Sequence, residues 1–152
     1  LKMCFVGDGN NMANSLIVGG IKMGMEVSIA CPNGYEPDKD IMKWANENGK
    51  FTCTPDVYEA AKGADVLYTD VWASMGQEDE SKERAQIFKD YQINSDLMKV
   101  ANDGAMVLHC LPAHRGEEIT GEVIEQHADE IFEEAENRLH AQKAVMVLLM
   151  AD

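Results

Sequence analysis

The sequence predicts an α/β fold in three layers, a parallel sheet with helices on both of its faces. Two observations carry this. Short apolar or β-branched runs recur along the chain, bounded on one side or the other by Gly, Pro, Asn or Asp, which is how buried strands read. Between them lie stretches with apolar residues at helical spacing, and strands that alternate with helices assemble as parallel βαβ units. A chain of 152 residues, 45% hydrophobic and 26% charged, is one domain with room for a real core. No internal repeat or low-complexity linker interrupts it.

In order, residues 2–6 form the first strand and run into Gly7-Asp8-Gly9-Asn10-Asn11. Met12, Leu16, Ile17, Gly20 and Met23 then mark a helix over 12–23 that Gly24 ends. Residues 27–30 are a second strand. Pro37 opens a helix carrying Ile41, Trp44 and Ala45, which stops at Asn48-Gly49. A third strand covers 51–54, a short helix 55–62, and a fourth strand 66–69 that ends at Asp70. A charged segment, 78–89, is broken by Tyr91-Gln92-Ile93-Asn94, and Ser95 can cap a helix reaching Ala101. The strand at 105–108 delivers His109-Cys110-Leu111-Pro112 to the sheet edge, and the tail over about 120–151 has a helical pattern. Its run from Ala144 to Met150 would be apolar on all sides as a helix. One face can lie on the sheet and the other needs a second domain or subunit; a fully buried strand is the plainer reading.

Composition narrows the function. A net charge of −14 argues against a nucleic-acid partner, since phosphate binding rests on clustered Lys and Arg. No apolar run approaches the roughly 20 residues that span a membrane, and residues 1–8 read as a strand and its turn, not a signal peptide. Cys4, Cys31, Cys53 and Cys110 sit in or just after strands without a C-x-x-C pair, the pattern of reduced thiols in a cytoplasmic protein. A chain that opens inside a strand without an initiator Met is expected to be a piece of something longer.

Four places could carry chemistry. The first turn, Gly7-x-Gly9-x-x-Met12, fails as a dinucleotide fingerprint: Met12 stands where a small residue should, and the second strand ends in Ala30-Cys31-Pro32, not an acid. No nicotinamide or other cofactor is expected. Asn10 reads as a helix cap, whereas Asn11 is either a cap or a contact for a carboxylate at the helix N-terminus. At Asp70-Val71-Trp72-Ala73-Ser74-Met75-Gly76, an anion and a hydroxyl reach the sheet edge and would suit a cationic amine; an Asx-turn and a surface serine fit the spacing equally. In the His109–Arg115 stretch, Cys110 is a nucleophile, a hydrogen-bonding wall or simply a buried thiol. His109 points away from Cys110 across the strand, so a direct Cys–His pair is poor. His109, Cys110 and His114 match none of the usual zinc spacings, and no metal is expected. Arg138, within Glu136-Asn137-Arg138, is an ion-pair partner or, if aimed at the ligand edge, a phosphate or carboxylate contact.

Taken together, Gly7-Asp8-Gly9-Asn10-Asn11, Asp70-x-x-x-Ser74-Met75-Gly76, His109-Cys110-Leu111-Pro112 and Glu136-Asn137-Arg138 resemble the ornithine carbamoyltransferase family, in its order and over essentially the whole chain. The resemblance implies a Rossmann-like domain in which Asn11, Asp70, Ser74 and Met75 hold the α-amino and α-carboxylate groups of L-ornithine. It puts Cys110 and Leu111 between ornithine and carbamoyl phosphate, Arg138 on carbamoyl phosphate, and a cis bond at Leu111-Pro112. Cys110, Asp70 and His109 are then the catalytic candidates, with His109 orienting Asp70 or Cys110 from behind.

The family's amino-terminal half carries Ser-x-Arg-Thr-Arg and His-Pro-x-Gln motifs, and neither occurs here. Residues 1–152 are therefore expected to be the carboxyl-terminal, ornithine-binding domain of a two-domain enzyme, inactive without the amino-terminal carbamoyl phosphate domain. The apolar last helix would reach back to that half, and family members assemble as homotrimers. Competing readings are a relative acting on putrescine, which would lack the Ser-Met-Gly loop, and a non-catalytic amino-acid-binding module.

Overall fold

The computed structural model describes residues 1–73 and 81–150. Strands β1 (Lys2–Val6), β2 (Glu26–Ala30), β3 (Phe51–Thr54), β4 (Val66–Thr69) and β5 (Met106–His109) form one sheet in the order β3-β2-β1-β4-β5, with every pair parallel. Among the described residues the helices are α1 (Asn11–Lys22), α2 (Lys39–Asn48), α3 (Val57–Ala61), α4 (Ser81–Phe88), α5 (Ser95–Met98), α6 (Gly121–Gln126) and α7 (Ala128–Met150).

Strand alternation divides the core into two layers of packing. Met3 and Phe5 of β1 join Val27 and Ile29 of β2 against Ala13, Ile17 and Ile21 of α1 and Ala45 of α2. Cys4 and Val6 point the other way, with Leu67 and Val107, into a cluster with Ala60, Phe88, Leu97 and Val123 from α3, α4, α5 and α6. Both faces are covered, which is why these strands are apolar at consecutive positions. All four cysteines are free thiols, with Cys31 and Cys53 meeting Sγ to Sγ at 3.7 Å across β2 and β3.

Helix starts differ from the expected ones by a residue or two, for one reason. An Asx side chain caps each of α1, α2, α3 and α5, with Asn10, Asp38, Asp56 and Asn94 accepting from the second and third backbone N–H groups. The cap of α5 is thus Asn94 and not Ser95, and α2 begins after Asp38 instead of at Pro37. The predicted tail is two helices, parted at His127, whose Nδ1 lies 2.9 Å from a Glu130 carboxylate oxygen.

The last helix corrects a second expectation. Residues 144–150 are helical, not a buried strand, and neither face rests on the sheet: every described residue from Glu136 onward is exposed. Ile131 is the buried residue of α7. Its amino-terminal part lies along the free edge of β5, where Glu130 accepts from Val107 N–H and Glu134 from His109 N–H, both at 2.9 Å. Those carboxylates satisfy an edge that would otherwise present unpaired donors.

Candidate functional site

Strand order reverses beside β1, since β2 lies on one side of it and β4 on the other. In an open α/β sheet, the crevice at the carboxyl ends of the strands flanking such a switch point is where ligands bind. Three segments arrive there: the turn after β1, the chain leaving β4 at Asp70, and the chain leaving β5 at Cys110.

The turn is held close to its neighbour. Gly9 N–H donates to Tyr35 O at 2.9 Å, and a Cβ on Gly9 would stand 2.3 Å from Pro37 N, so only glycine fits. Asn10 Oδ1 then caps α1 by accepting from Met12 N–H (2.9 Å) and Ala13 N–H (3.3 Å), while its Nδ2 reaches Asp70 Oδ2 at 3.5 Å. Asn10 is the cap the sequence implies, and it also ties the turn to Asp70. Asn11 is exposed at the first position of α1.

Asp70 and Cys110 meet because their strands are neighbours in register, Thr69 opposite His109. The Cys110 thiol donates to Asp70 Oδ1 at 3.1 Å, and Val71 N–H donates to the same oxygen at 2.8 Å. Burial first, then the bond to the Asp70 carboxylate, pushes the Cys110 thiol up to about 12. At neutral pH Cys110 is therefore a protonated donor that orients Asp70, not a thiolate nucleophile.

His109 is fully buried on the other side of β5, as strand alternation requires. It does not orient Asp70 or Cys110 through its ring, because both ring nitrogens are engaged elsewhere. Nδ1 accepts from Leu111 N–H at 2.9 Å, which leaves the proton on Nε2 to be donated to Glu118 Oε1 at 3.0 Å. Glu118, itself fully buried, also accepts from His114 N–H at 2.6 Å. The ring and the carboxylate thus pin the loop that presents Leu111, which takes φ +55° ahead of a cis Leu111-Pro112 bond. A non-glycine residue in that region costs roughly 1–2 kcal/mol, and the bond from its N–H to His109 helps hold it there.

An ion pair with a buried arginine anchors the turn after β1. Arg84 pairs with Asp8, donates from Nε to Trp72 O at 2.5 Å, and lies 5.2 Å from the ring centroids of Tyr35 and Phe88. Burial raises the Asp8 carboxyl above its ordinary range, against the pull of Arg84. Arg84 falls in the segment that the sequence marks only as charged; in the structure it is buried.

Of the other expected site residues, Ser74 and Met75 lie outside the described residues. Arg138 is exposed on α7 and bonds to neither Asp70 nor Cys110. Arg115 pairs with Glu125 at 2.7 Å. For a metal, one group among the described residues has ligand atoms close together: His114, Glu117 and Glu118. His109 and Cys110 are not part of it. Glu118 Oε2 lacks a hydrogen-bond partner and stands 3.9 Å from His114 Nδ1, while Oε1 anchors the loop. Glu118, Glu134 and Arg84 were missed because, in a chain with 27 acidic residues, one more carboxylate or one isolated arginine carries no periodic signal.

Residues 1–149 match the family model for the aspartate/ornithine carbamoyltransferase Asp/Orn-binding domain. The chain is 54% identical to the ornithine carbamoyltransferase of Pyrococcus horikoshii, with 99% of this chain and 49% of that protein aligned. It is 53% identical to the protein named anabolic ornithine carbamoyltransferase in Pyrococcus furiosus, again over 99% of this chain and 49% of the relative. The crystal structure of the anabolic ornithine carbamoyltransferase of Campylobacter jejuni superposes with a TM-score of 0.93 at 42% identity, covering 97% of this chain and 50% of that one. The chain spans about half the length of the curated relatives it matches. On the match over nearly its whole length, the chain belongs to the aspartate/ornithine carbamoyltransferase family, in the part that forms the Asp/Orn-binding domain.

Proposed function

We propose that this chain is the ornithine-binding, carboxyl-terminal domain of a two-domain ornithine carbamoyltransferase, which makes L-citrulline and phosphate from L-ornithine and carbamoyl phosphate. The observation that carries this is the Cys110–Asp70 pair at 3.1 Å in the switch-point crevice. It puts a carboxylate and a protonated thiol where an amine substrate would sit, next to the N-terminus of α1.

The chemistry asks little of the protein beyond positioning. The lone pair of the neutral δ-amine attacks the carbamoyl carbon, a C–N bond forms, and the C–O bond to phosphate breaks as the tetrahedral intermediate collapses. The amine proton must leave. Asp70 is the group suited to attract the amine and take that proton, with Cys110 and Asn10 fixing its two oxygens. In this reading Asn11, Asp70, Ser74 and Met75 hold the amino-acid end of ornithine. Leu111 and Cys110 face the carbamoyl group, and Arg138 meets carbamoyl phosphate once the amino-terminal domain is in place. His109 contributes by holding the Leu111 backbone. No metal or other cofactor enters the scheme.

The apolar end of α7 supports a partner domain, because Leu148, Leu149 and Met150 are each about 80% exposed (82%, 80% and 78%). A homotrimer and a cytoplasmic setting belong to the same proposal. Free cysteines agree with that setting, and no described helix is long and apolar enough to cross a membrane.

The test is a citrulline assay on the full-length protein and on residues 1–152 alone, with ornithine and putrescine as competing acceptors. Turnover of ornithine by the full-length protein, and none by the isolated domain, is expected. Carbamoyl transfer to putrescine in preference would reassign the substrate. Ornithine binding by a full-length protein without transfer would make the chain a binding module.

A further inference from the structure

Glu134 touches no part of the crevice, yet its carboxylate is bonded to both strands that form it. One oxygen accepts from His109 N–H at 2.9 Å, immediately before Cys110; the other accepts from the hydroxyl of Tyr68, two residues before Asp70. Tyr68 is buried, and burial together with the adjoining carboxylate raises its phenol above the ordinary range, so it stays a donor. Glu130, one turn earlier on α7, makes a similar bond to Val107 N–H at 2.9 Å. The spacing is matched: four helical residues rise about 6 Å and two strand residues about 6.6 Å. Two carboxylates on one helix face therefore meet alternate donors on the strand edge.

The two braces differ in what they hold. Glu130 supports the middle of β5, and its other partner is His127 of the neighbouring turn. Of the two, Glu134 is the one that bonds to both β4 and β5, adding to the backbone pairing of Thr69 with His109 just where Asp70 and Cys110 depart. We propose that Glu134 is a positioning residue for the transferase reaction, setting the distance between Cys110 and Asp70 from the helix that carries the exposed apolar end. This rests on the function proposed above.

The experiment uses the full-length enzyme with Glu134→Ala, Glu134→Gln and Glu130→Ala. Two assays are run: ornithine kinetics, giving kcat and KM, and the alkylation rate of Cys110 by iodoacetamide, followed by peptide mass spectrometry. Glu134→Ala is expected to lower kcat roughly tenfold to a hundredfold with a smaller change in KM, and to speed Cys110 alkylation about fivefold or more. Glu134→Gln is expected to recover most of both, because its amide oxygen still accepts from His109 while its NH2 turns to the phenol oxygen. Glu130→Ala should resemble the parent in both. If Glu134→Ala does not fold, Glu134→Asp, whose carboxylate stops short of both donors, carries the same expectation. Parent-like values in Glu134→Ala (or in Glu134→Asp where it stands in), or equal losses in Glu130→Ala, would overturn the proposal. A parent without carbamoyl transfer would instead sink the function it rests on, and Cys110 alkylation would still decide the brace.

Discussion

Asp70 is fixed by three donors: the thiol of Cys110, the amide of Asn10 and its neighbour's backbone N–H at Val71. A carboxylate held by three donors is preorganised, which is what the proton transfer in the proposed function requires. Replacing Asp70 by Asn keeps the shape and removes the charge and the basic oxygen. In the full-length enzyme, ornithine turnover should fall by roughly 10²–10⁴-fold, the usual worth of a positioned acid or base; turnover within about tenfold of the parent would refute its role. Cys110 was legible as a strand-end thiol, and its placement on the side opposite His109 follows from strand alternation. That its S–H points at Asp70 was not legible, because it depends on the register between two strands far apart in sequence.

Among the elements, α7 departs furthest from its sequence reading. Its 23 residues serve two purposes, and the apolar run showed only one of them. Near its start, Ile131 is 1% exposed and packs with Ile93, Val107 and Ile119 in the core cluster, while Glu130 and Glu134 seal the edge of β5. From Glu136 on it stands clear of the sheet. Truncating a buried isoleucine costs roughly 2–5 kcal/mol, so Ile131→Ala should lower the urea midpoint of the domain clearly. Leu148→Ser, at a residue 82% exposed, should leave that midpoint within error, since nothing apolar is lost from the core. Equal effects would mean that the far end of α7 folds back on the domain. Helix caps were legible only to within a residue or two, because Pro and Ser mark a boundary while an Asx side chain makes the hydrogen bonds.

The stability of the whole molecule carries its own signature in alkali. Cys4 and Cys110 are both raised from 9.0 to about 12, burial being the largest cause for each. The folded state holds these protons more tightly than the unfolded chain does. Their contribution to stability is therefore complete below pH 9 and is lost as pH rises toward 12. Urea midpoints measured across that range should decline, and a Cys4→Ala, Cys110→Ala variant should decline less steeply from its lower starting value. An unchanged slope would mean that neither thiol is as buried as the fold has it. At this scale Asp70 and Cys110 lie at the carboxyl ends of the strands, while Arg138 and the end of α7 are exposed.

By itself the sequence determined the layers and the likeness. Apolar runs alternating with helical periods require a parallel sheet covered on both sides, and the four matched stretches carried the family resemblance. Gly9, Asp70 and Cys110 stood out because each sits where a strand or turn must end. Only the tertiary structure decided which side chains meet. The pairing of Cys110 with Asp70, the burial of Arg84 on Asp8 and the clamp at Glu134 join residues separated by intervening elements, and the turning of His109 toward Glu118 and Leu111 depends on how the loop after β5 folds back. Periodicity records which face a residue occupies. It does not record the register of a neighbouring strand or the line along which a helix crosses the edge, and those two distances set this site.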